Sequence, residues 1–72
     1  MNQLKQAAPA GINPRWWAWE QMGGTGRPGV YIIWIRERWG EFRRQQPDRL
    51  YGDAEHMAFD NWLFSLVQQT TK

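Results

Sequence analysis

Glu37 and Glu41, one helical turn apart, and the run Asp53, Glu55 and His56 are the side chains whose types could move a proton on a substrate. General acid and base work needs such a pair set against a nucleophile, a metal or an oriented substrate. Neither set comes with that company. The 72 residues include no cysteine and a single histidine, so no thiolate nucleophile and no His or Cys cage for zinc can form. Acids at a helix start or on its wet face are ordinary partners of the helix dipole. The chain is therefore expected to be non-enzymatic, with no cofactor and no metal.

Phosphate chemistry is the next candidate, because Gly24-Thr25-Gly26-Arg27-Pro28-Gly29 matches the spacing G-x-G-x-x-G. A dinucleotide turn of that kind follows a strand and opens a helix inside a βαβ unit, and this chain has barely the length for one. The Gly-Lys-Ser/Thr ending of a triphosphate loop is missing as well. The stretch is read as a turn between helices, with backbone N–H groups beside Arg27 as a weaker anion-binding alternative.

Arginines supply a third chemistry. Arg36, Arg38, Arg43, Arg44 and Arg49 crowd into one third of the chain and alternate with Glu37, Glu41 and Asp48. Planar guanidinium groups suit carboxylates and phosphates, whereas the interleaved acids weaken the field that duplex DNA would need. A solvated helix face is the first reading, protein contact the second and nucleic-acid contact the third, with direct duplex binding expected to be weak or absent. The alternative is a small helical nucleic-acid-binding domain that uses this arginine-rich second helix.

Elements must hold these groups in place. Asn13-Pro14 is a helix start, Asn as cap and Pro in the first turn, and Gly23-Gly24 ends that helix. Ile32, Ile35, Trp39 and Phe42 recur at helical spacing, which predicts a helix over 28–45, although VYIIWI also suits a strand over 30–35 and Gly40 weakens the helix. After the turn PDRLYG, Asp53 caps a third helix whose stripe is Phe59, Trp62, Leu63, Leu66 and Val67. The resulting fold class is mainly α: a three-helix domain over 13–69, preceded by a flexible arm over 1–12 with at most a helical turn through Leu4 to Ala8, and followed by a tail over 70–72. An α+β fold with the short strand is the alternative.

The six tryptophans give a small chain apolar area that its length would otherwise deny it. On a helix from Pro14, Trp16 and Trp19 lie about 60° apart with Met22 on the same side, while Trp17 points about 100° away from Trp16. The first three are expected in the core, and Trp17 at a binding surface or the core edge. Met57 and Phe64, one heptad apart, form a second apolar patch that meets a partner or lies under the arm. The residues assigned to partner contact are Trp17, Arg27, Arg36, Arg38, Arg43, Arg44, Met57 and Phe64.

Net charge is +2 and the pI near 9.5, which permits an acidic partner without naming one. The first residues have no apolar run of the kind a secretory signal carries, and VYIIWI is far below the roughly 20 residues that span a bilayer. An intracellular chain is expected. A Trp- and Arg-rich miniprotein of this character is similar to small bacteriophage proteins that disable or redirect a host machine, and within them to those that bind RNA polymerase and regulate transcription. That resemblance implies a monomer or weakly self-associating protein in the bacterial host cytoplasm, with host RNA polymerase as partner and inhibited initiation or altered termination as its effect. It assigns no role to any single residue.

Overall fold

The computed structural model describes residues 3–70. Four helices follow one another: α1 (Gln3–Ala7), α2 (Pro14–Gln21), α3 (Pro28–Gln45) and α4 (Gly52–Thr70). The mainly α expectation holds, and α3 has the bounds that its spacing predicts. No strand occurs among the described residues. The helix prevails over the strand at 30–35 because Tyr31, Trp34 and Ile35 lie on one side of a helix and pack there; a strand would send Trp34 and Ile35 to opposite faces. Gly40 does not interrupt the helix.

Helix ends follow local chemistry. Asn13 Oδ1 accepts the N–H groups of Arg15 at 2.9 Å and Trp16 at 3.3 Å, and Pro14 opens α2. At the other end Gly23 takes φ +89 and donates to the Glu20 carbonyl, while the Gly24 N–H reaches the Trp19 carbonyl at 2.9 Å. These two bonds form a Schellman cap. α4 begins at Gly52, one residue ahead of Asp53, so Asp53 and Glu55 sit in its first turn.

Gly24 has a second reason to be glycine. A Cβ there would come 2.3 Å from the Trp19 indole, and Trp19 is buried. We predict that Gly24→Ala lowers stability by about 1–3 kcal/mol, the usual range for overpacking. Thermal unfolding of Gly24→Ala beside Thr25→Ala checks this; equal midpoints would mean that the loop can move off the ring.

The expected three helices and free arm need correcting. Residues 3–7 form α1, which packs against α2 and α4, and Leu4 is 0% exposed within the main core. The physical reason is that α2 and α4 leave an apolar notch between them that one leucine fills. The compact unit thus includes residues 3–7. Of the expected tail, Thr70 closes α4, and 71–72 lie outside the described residues.

Leu4, Ala18, Phe42, Phe59, Leu63 and Val67 make the buried centre. A ring stack joins α3 to α4: Trp39 lies face to face with Phe59 at 3.7 Å, Phe59 with Trp62 at 5.8 Å, and Phe42 meets both Phe59 and Trp62 with its ring tilted. Such pairs add about 0.5–1.5 kcal/mol beyond their burial. Trp62 satisfies its indole N–H on Gln45 Oε1 at 3.0 Å. A second aromatic group, Trp16, Trp19, Tyr31 and Trp34, fastens α2 to the first half of α3.

Trp17 lies at the core edge, one of the two places that the helical wheel gives it. It is half-buried and packs on the main core, whereas Trp16 and Trp19 serve the second group. α2 is wedged between α1, α3 and α4, so it has no single wet face. Ile32, expected in the core stripe, is 52% exposed.

Candidate functional site

The site is best built outward from Arg15, at the start of α2. Its Nε donates to Asp60 Oδ1 at 2.7 Å, and a terminal nitrogen lies 3.0 Å from His56 Nδ1. A guanidinium group can only donate, so Nδ1 accepts and the imidazole proton sits on Nε2. Arg15 lies about equally far from the Trp39 and Phe59 ring centres, 5.2 and 5.0 Å. With those rings 3.7 Å apart, that position is beside the stack rather than above it. Arg15 therefore ties α2 to α4 through Asp60 and turns His56 toward α3.

Arg43 lies 4.9 Å from the Trp39 ring centre. Its Nε donates to Glu55 Oε2 at 3.3 Å, which leaves the two terminal nitrogens without an acceptor among the described residues. Together Arg36, Trp39, Arg43 and His56 line a shallow concavity of about 390 Å³ between α3 and α4. A larger hollow, about 580 Å³ under the α3–α4 turn, includes Arg43 and Arg49 but also Asp48 and Glu55, so opposite charges balance there.

Beyond the concavity lies the outer face of α3. Val30, Ile32 and Ile33 are 51%, 52% and 59% exposed within one turn. Further along, Arg36, Arg43 and Arg44 are exposed. Among the described residues, Arg36 and Arg44 form no ion pair. At 100° per residue Ile32 lies on the line of Arg36 and Arg43, and Ile33 on that of Arg44, while Val30 sits at the far edge about 160° from Ile32, so the exposed side of α3 is apolar at its beginning and basic at its end.

Of the residues assigned from sequence, Arg36, Arg43 and Arg44 come together on this face. Arg38 does not: it is half-buried on the inner side, pairs with Glu41 at 3.1 Å and lies 5.8 Å from the Trp34 ring, with its Nε buried and unpartnered. Arg27 is exposed before α3 and makes no side-chain cap. Trp17 is packed on the core, Phe64 is half-buried against it, and Met57 is 46% exposed on α4. The expected Met57 and Phe64 patch is accordingly split.

The residues missed from sequence are Val30, Ile33 and His56. Val30 and Ile33 lie well off the direction of Ile35 and Phe42 at 100° per residue, a signal that the continuous apolar run concealed. His56 gains its place from Arg15, 41 positions away, which no local pattern encodes. Of the posed acid and base groups, Glu41 pairs with Arg38, Glu55 with Arg43, and His56 accepts from Arg15.

Tyr31 carries a titration shift. Burial raises its phenol above the ordinary 10.0, Arg15 opposes this and Asp60 adds to it. Below pH 10 both folded and unfolded chains keep the proton and stability is full. Above it the unfolded chain ionises first, so stability declines toward the higher folded value. Urea titrations across this range should show that decline, and Tyr31→Phe should flatten it; an unchanged slope would contradict the burial effect.

No helix is long and apolar enough to cross a membrane among the described residues. No family model matches the chain, and no curated protein or solved structure matches it.

Proposed function

We propose that the chain is a non-enzymatic protein-binding module that works through the outer face of α3. The observation that carries this reading is half-exposed Ile32 and Ile33 followed along the same helix side by Arg36 and Arg44, which form no ion pair among the described residues. Aliphatic side chains left in water on a chain this small are an interface in waiting, and the charges beside them steer encounter. The resemblance of sequence character to phage regulators names the candidate partner: bacterial RNA polymerase, in the host cytoplasm, with inhibited initiation or altered termination as the outcome. Duplex DNA fits this face poorly, because its first half offers no charge to a phosphate.

Titrating labelled duplex and purified bacterial RNA polymerase side by side, at about 150 mM salt, where each phosphate contact costs nearly one unit of salt slope, tests the reading. Polymerase binding with no more than weak duplex binding is expected. Tight duplex binding without polymerase binding would replace it with the nucleic-acid reading.

A further inference from the structure

We propose that the outer face of α3 receives an acidic, amphipathic protein segment, whose apolar side chains cover Ile32 and Ile33 and whose carboxylate enters the concavity between Arg36 and Arg43. This rests on the protein-binding reading above and names the partner's chemistry. Two independent observations converge on it.

The first is the order of chemistry along the helix. Ile32, Arg36, Trp39 and Arg43 follow one another at steps of four, three and four on one line of α3, since such steps return to nearly the same side. A segment lying along that line meets aliphatic carbon first and guanidinium groups later. Ile32 and Arg43 are about 17 Å apart at 1.5 Å per residue. An occupant must therefore carry its apolar and acidic halves in succession, with roughly that reach.

The second is the supply of donors. Arg36 is unpaired among the described residues, Arg43 has its Nε on Glu55, and His56 has Nδ1 committed to Arg15. Arg36, the terminal nitrogens of Arg43 and the Nε2–H of His56 remain as donors at one concavity. Planar guanidinium groups match the two oxygens of a carboxylate. Phe59 already stacks on Trp39 at 3.7 Å and Arg43 lies 4.9 Å from the same ring centre, so the concavity suits a compact anion better than a stacked nucleobase. A second copy of the chain is a poorer occupant, because its own α3 offers arginines to arginines with Glu37 as the carboxylate on that face.

Selection of displayed random peptides of about 16 residues, which as a helix span roughly 24 Å, against the whole chain tests the proposal. Enriched peptides should have an apolar half followed or preceded by Asp and Glu, and should lose binding when those acids become lysine. Ile33→Asp and Arg36→Glu, each at an exposed side chain, should each weaken the selected peptides about tenfold or more without moving the melting temperature. Enrichment of neutral or basic peptides, no enrichment, or binding unmoved by both variants would overturn it. So would a dimer in sedimentation equilibrium dissolved by Ile33→Asp, or vesicles of anionic phospholipid bound with that same sensitivity in place of peptide. RNA polymerase binding insensitive to both variants would overturn this surface and leave the protein-binding reading intact, whereas sensitive peptide binding without polymerase binding would sustain the surface and remove polymerase as the partner.

Discussion

Phe59→Ala is expected to abolish cooperative folding near room temperature or leave it barely measurable. Phe59 is fully buried and touches Trp39, Phe42 and Trp62, so it joins α3 to α4 through one ring. Removing a buried phenylalanine costs about 3–5 kcal/mol. The whole domain has about 4–11 kcal/mol at the usual 0.05–0.15 kcal/mol per residue. One side chain thus represents a large share of the total. Urea unfolding followed by tryptophan emission gives the measurement, with exposed Val30→Ala as the control, which should change stability by less than about 0.5 kcal/mol. Similar midpoints for the two variants would mean that the ring stack does not hold α3 to α4.

Leu4→Ala should cost about 2–5 kcal/mol, the range for a buried leucine, although it lies in a five-residue helix that cannot be stable alone. The reason is that α1 exists because Leu4 is buried: its contacts with the core form the helix, and not the reverse. Gln6→Ala, exposed on the same helix, is the comparison. If both variants unfold at the same urea concentration, α1 is not docked in solution and the arm is free. The two variants together would separate the α3–α4 ring stack from the leucine that closes the other side of the core.

Helix limits were legible because they are written locally. Asn13-Pro14 and Gly23-Gly24 act within a few residues of themselves, so α2 starts and stops where capping chemistry says it must. Phe59, Leu63 and Val67 were legible for a related reason: α4 has one buried side, and a helix with one buried side records it as a period. The GTGRPG turn was also read correctly as a connector between helices.

What the chain by itself determined, then, is the helical class, the bounds of α3, the caps of α2 and the apolar side of α4, all of which depend on neighbours in sequence. Only the tertiary structure decided which side of α2 and α3 faces inward. A wheel places residues relative to each other but cannot say how many other helices surround the element, so Arg38 turned inside, and Val30, Ile32 and Ile33 stayed in water. The burial of Leu4 and the Arg15 to His56 contact join residues more than 40 positions apart. Side-chain packing between distant segments sets them, and that packing exists only once all four helices are in place.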